Sequence, residues 1–91
     1  MRDPADDRNL VRVRKKADEL RRRAADLAGS VASTEEQVAA TLEKIADHRP
    51  PEDAERLRAR ADEARAYAVK ERRRAAEYSQ RSEDEDRAGE R

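Results

Sequence analysis

Low-polarity residues recur every three then four positions through the first half of the chain: Leu10, Val13, Ala17, Leu20, Ala24, Leu27, Val31, Thr34, Val38, Thr41 and Ile45. That spacing is a heptad repeat, which holds one narrow stripe of an α-helix toward a partner helix. A stripe kept in register over so many turns must be covered, either by another segment of the chain or by another chain. The fold class it predicts is all-α, a coiled coil rather than a globule.

Ninety-one residues leave room for one small domain. Charged residues make up 48% of the chain, net charge is zero, and about half of the 35% counted as hydrophobic is alanine. Leu, Ile and Val are scarce enough to raise disorder, but zero net charge and Ala, Glu and Arg in helical period argue for a long, thin helical fold. A core this small supplies little stability alone, so a homo-oligomer is expected.

The first helix has a clear entry. Asp3 suits the cap, Pro4 the first helical position, and Asp6 and Asp7 oppose the positive end of the dipole. It is expected over about 4 to 47. Gly29-Ser30, with Ser33 and Glu36 spaced as a capping box, offers one break. The repeat nevertheless passes through Gly29 without a slip, which favours a continuous helix. His48-Arg49-Pro50-Pro51 ends it, because proline neither donates to the helical ladder nor tolerates a helical residue before it. A turn over 48–51 and a second helix over about 52–80 follow, the latter with its own seam of Ala54, Leu57, Ala61, Ala64, Ala68, Glu71, Ala75 and Tyr78. Residues 81–91 read as a polar, acidic, disordered tail.

So short a connection makes the pair an antiparallel hairpin. Folded about the prolines, Ile45 is expected to meet Ala54, Val38 to meet Ala61, Val31 to meet Ala68 and Leu20 to meet Tyr78. Glu71 then lies on the seam opposite Leu27, where a carboxylate is costly unless it reaches water or a partner. Leu10, Val11, Val13 and Ala17 overhang the end of the second helix, and a second copy of the chain is the expected cover, giving a helical bundle.

Charge is unevenly distributed along the expected hairpin. Arg21, Arg22, Arg23, Arg72, Arg73 and Arg74 gather toward the open end as a candidate anion patch, while Glu35, Glu36, Glu43, Asp47, Glu52, Asp53 and Glu55 lie around the turn. Glu35 is placed to pair with Arg65. The patch suits the acidic end of another copy, the acidic tail, or phosphate on nucleic acid or an anionic membrane surface. For nucleic acid the pattern lacks aromatic platforms and zinc ligands, and Asp18, Glu19, Glu71 and Glu77 interrupt it.

Chemistry has little to work with. There is no cysteine, a single histidine (His48), and no phosphate-cradling glycine loop, so no catalytic, cofactor or metal residues are assigned. Tyr67 and Tyr78 read as packing residues. The acidic opening of the chain carries no apolar signal-peptide core and no stretch is long and apolar enough to span a bilayer, so a cytoplasmic location is expected.

The segments Val31-Ala32-Ser33-Thr34-Glu35-Glu36-Gln37-Val38-Ala39, Leu57-Arg58-Ala59-Arg60-Ala61 and Ala68-Val69-Lys70-Glu71-Arg72-Arg73 resemble short, uncharacterised Ala/Arg/Glu-rich helical-hairpin proteins of high-GC bacteria. The resemblance covers about residues 10 to 78. It favours a continuous first helix and carries over no assigned activity. The expected function is a structural or interaction module that self-associates through the heptad seam of Leu10, Val13, Leu20, Leu27, Val31, Val38, Ile45, Leu57 and Tyr78. The alternative is an anion-binding accessory protein acting through the clustered arginines.

Overall fold

A computed structural model describes residues 4–89, without the side chains of 85, 86 and 89. Two helices, α1 (Pro4–Ala46) and α2 (Pro51–Gly89), pack along one another as an antiparallel hairpin measuring 74 × 19 × 13 Å. Helix α1 is unbroken at Gly29, whose φ is not positive, and a Cβ built there meets nothing within 4 Å. No other secondary structure occurs among the described residues. Among the described residues no helix is long and apolar enough to cross a membrane.

Both ends of the connection follow from its prolines. The last carbonyls of α1 are closed by tightening amides, His48 N–H to Ile45 O at 3.1 Å and Arg49 N–H to Ala46 O at 3.2 Å. Pro50 cannot continue that ladder. Its carbonyl instead accepts the Ala54 amide at 2.9 Å, which opens α2 with Pro51 in the first turn and Glu52 and Asp53 against the dipole.

The helices meet through alanine. The buried apolar residues are Ala28, Ala32, Ala39 and Ala46 of α1 and Ala54, Ala61, Ala64 and Ala68 of α2. Half-buried Ala25 and Ala75 extend a ladder with one alanine at every seventh position of each helix. Ordered about the turn, Ala46 faces Ala54, Ala39 faces Ala61, Ala32 faces Ala68 and Ala25 faces Ala75. Between these rungs Leu42 packs on the cluster of Ala39, Ala61 and Ala64. Methyl-sized side chains let the two backbones approach closely, and each buried methyl contributes about 0.8 kcal/mol.

The α2 seam is the one its spacing predicts, but the α1 seam lies one residue later than expected. Asp18, Arg21, Ala25, Ala28, Ala32, Glu35, Ala39, Leu42 and Ala46 face α2, again at three-four spacing. The expected contacts of Ile45, Val38, Val31 and Leu20 are therefore replaced by those of Ala46, Ala39, Ala32 and Arg21. The physical reason is size. Ranking the stripes of α1 by apolar bulk selects the leucines and valines, whereas two alanine ladders interlock with the least separation between axes.

Beyond the expected end at Gln80, α2 continues as helix to Gly89, and the Gln80 amide bonds Asp84 one turn on at 3.1 Å. Most of the segment expected as a disordered tail is thus helical, and residues 90–91 lie outside the described ones. In register, α2 reaches the level of about Val11, so the expected overhang gains a neighbouring helix but no core. Every described side chain from 4 to 16 is exposed.

Candidate interaction surface

The one-residue rotation of α1 gives the hairpin two unlike flanks. On one, two carboxylates of α1 and Asp47 just beyond its end reach arginines spaced seven residues apart on α2. Glu43 accepts from both terminal nitrogens, Nη1 and Nη2, of Arg65, Glu36 accepts from Arg72 Nε at 2.6 Å, and Asp47 accepts from Arg58 at 3.3 Å. Hydrogen bonding to Arg72 and to Arg65 holds the Glu36 and Glu43 carboxyls below their ordinary values and raises both guanidiniums. The expected pairing of Glu35 with Arg65 is not made. Glu35 has turned into the seam, where it is half-buried, and Arg65 takes Glu43.

The other flank is apolar along α1. Leu27 is 67% exposed, Val13 65%, Leu20 53%, Leu10 43%, Val38 42% and Ile45 39%, whereas Val31 is half-buried. Shallow grooves run between this stripe and α2. One is lined by Ile45, Arg49, Asp53, Arg56, Leu57, Ala59 and Arg60, the next by Glu35, Val38, Leu42, Arg60, Glu63, Ala64 and Tyr67. Leu57 and Tyr78, on the seam as expected, are half-buried, while Tyr67 looks outward from the apolar flank.

Toward the open end the seam turns polar. Glu71 is buried opposite Ala28 and reaches Arg74 at 3.4 Å, so the carboxylate expected against Leu27 lies instead against a methyl and carries its own counter-charge. Asp18 lies 4.0 Å from Arg21 and 3.9 Å from Arg22. Asp18 Oδ1 and Ser82 Oγ are both buried at this level without a hydrogen-bond partner among the described residues.

No family model, curated protein or solved structure matches the chain.

The geometry of this surface therefore stands on its own residues. The two arginine triplets are not brought into one cluster. Arg21 and Arg22 border a groove with Tyr78, Ser79, Ser82 and Glu83, while Arg72, about two turns nearer the hairpin bend, bonds Glu36 and lies 3.5 Å from Ser33 Oγ. Arg74 turns to Glu71; Arg23 and Arg73 are exposed. His48 is exposed in the turn, and no group of three or more His, Cys, Asp or Glu among the described residues could hold a metal ion. The ladder of Ala25, Ala32, Ala39 and Ala46 lies outside the positions that the bulky heptad stripe of α1 selects. Its signal was legible as alanine at every seventh position, matched by Ala54, Ala61, Ala68 and Ala75.

Proposed function

We propose that the chain is a structural or interaction module that self-associates through the exposed heptad stripe of α1, without catalytic chemistry of its own. The observation that carries this reading is the doubled repeat on α1. One set of three-four positions, rich in alanine, is occupied by α2; the adjacent set carries the large apolar residues and faces outward. Single exposed leucines are ordinary on a protein surface, but a continuous line of them along one helix is the mark of an association site.

Light scattering over a concentration series at low and high salt tests the proposal. The expected result is a mass of two or more chains that falls to that of one chain when Leu20, Leu27 and Val38 are changed together to glutamine. These residues lie outside the hairpin seam, so helicity by circular dichroism is expected to persist. A single-chain mass for the native protein at every concentration overturns self-association. Salt-sensitive binding of that monomer to duplex DNA or anionic vesicles, lost on changing Arg21, Arg22, Arg23, Arg72, Arg73 and Arg74 to glutamine, would then support the anion-binding alternative.

A further inference from the structure

We infer that the exposed stripe of α1 receives the same stripe of a second copy running antiparallel, about a two-fold axis at the level of Gly29. The inference rests on the self-association proposed above and specifies its geometry.

Three observations converge on it. The first is angular. Consecutive residues of an α-helix are about 100° apart around its axis, so the stripe of Leu20, Leu27, Val31, Val38 and Ile45 lies one residue, and about 100°, from the seam that holds α2. Neighbouring helices in a four-helix bundle subtend roughly 90° at the helix they share. Helix α1 thus carries apolar surface in the two directions that a corner helix needs, and only one is occupied.

The second is register. An antiparallel heptad pair sets one seam position of each helix against the alternate seam position of the other. Centring the pair at Gly29 gives the longest overlap the stripe allows. It places Leu27 against Val31 of the second copy, Leu20 against Val38, and Val13 against Ile45, with Ala24 against Thr34 and Ala17 against Thr41 between them. Large residues meet large ones in alternate layers, and the smaller residues meet each other. The overlap from residue 13 to 45 is about 50 Å long and a helix about 10 Å wide, which amounts to about 1,000 Å² over both copies, the size from which specific interfaces begin.

The third is charge. Between residues 12 and 28, α1 has seven basic and three acidic residues; between 30 and 46 it has three acidic and one basic. Antiparallel docking about Gly29 lays the basic half of each copy on the acidic half of the other and brings Arg21 near Glu35 on the side where α2 packs, both being half-buried. Parallel docking lays the basic halves on each other. Lys16 beside Lys44 is the one like-charge edge pair of the antiparallel register. Two-fold symmetry also brings both α2 helices to the same side of the α1 pair, where Arg56, Arg60, Glu63 and Tyr67 form a charged, hydrated rim.

The chain has no cysteine, so single-cysteine variants can each carry one nitroxide label. Ser30→Cys and Lys44→Cys place labels at exposed positions outside the hairpin seam. Electron spin resonance on the associated protein is expected to give a short distance at position 30, within about two helix diameters, and a distance of about 45 Å at position 44, from the 1.5 Å rise per residue. Short distances at both positions mean a parallel pair. A value at position 44 nearer 35 or 55 Å means a register displaced by one heptad, by the same rise. Either result overturns this docking and leaves self-association standing. No dipolar coupling together with a single-chain mass overturns both.

Discussion

Replacing Ala39 by leucine tests the alanine ladder directly, because Ala39 is wholly buried and faces Ala61, which is wholly buried too. Three added carbons have no space on that line. They force either a strained rotamer or a wider separation of the helices, which would also open the neighbouring rungs at Ala32–Ala68 and Ala46–Ala54. Overpacking a close-packed site costs about 1–3 kcal/mol, and a value near 2 kcal/mol lowers the melting temperature of a domain this size by about 10 °C. The informative comparison is Val38→Ala, one residue away. Val38 is 42% exposed, so its truncation removes part of an already hydrated side chain and gains about half a kcal/mol of helix propensity; the net change is expected to be under about 1 kcal/mol. Both variants would be unfolded with urea and followed by circular dichroism, at a concentration where light scattering gives a single-chain mass. If Val38→Ala costs more than Ala39→Leu under those conditions, the valine stripe and not the alanine ladder is the hairpin seam.

Other substitutions probe separate parts of the molecule. Gly29→Ala should stabilise by about 1 kcal/mol, since the residue is helical and its added Cβ is unopposed; a lower melting temperature would refute the continuous helix. The carboxyls of Glu36 and Glu43 titrate below their ordinary value in the folded chain. Their pairing therefore contributes fully above the ordinary carboxylate pKa and is lost as pH falls through the depressed folded values. The urea midpoint of the double variant Glu36→Gln, Glu43→Gln should accordingly fall less steeply in acid than that of the native chain, and superimposable profiles would refute the role of the pairs. Ser82→Ala removes a buried hydroxyl with no hydrogen-bond partner among the described residues and is expected to leave stability unchanged or raise it by up to about 1 kcal/mol. A loss above that, in thermal melts, would mean the hydroxyl is bonded in solution.

The two helices, their connection and the face that α2 turns inward were legible in the residues themselves. Pro50 and Pro51 forbid a continued ladder wherever the rest of the chain lies, and the acidic first turns and helix-forming composition act locally. Helix α2 has one three-four stripe that is mostly apolar, so its inward face had no competitor. Helix α1 has two, one residue apart, and both satisfy the periodicity equally. Which of them faces α2 depends on how near the two backbones can come, a property of the pair of helices and not of either alone. Ala25, Ala32, Ala39 and Ala46 meet the matching alanines of α2, and that choice rotates Leu20, Leu27, Val38 and Ile45 outward, turns Glu35 into the seam and brings Glu36 and Glu43 onto Arg72 and Arg65. The continuation of α2 past Gln80 was hidden for a related reason: Ser82, Asp84 and Asp86 are weak helix formers singly, and they extend a helix already nucleated and held by the turns before them. Heptad spacing determined that these helices pair; the close fit of small side chains between them determined which residues remain outside.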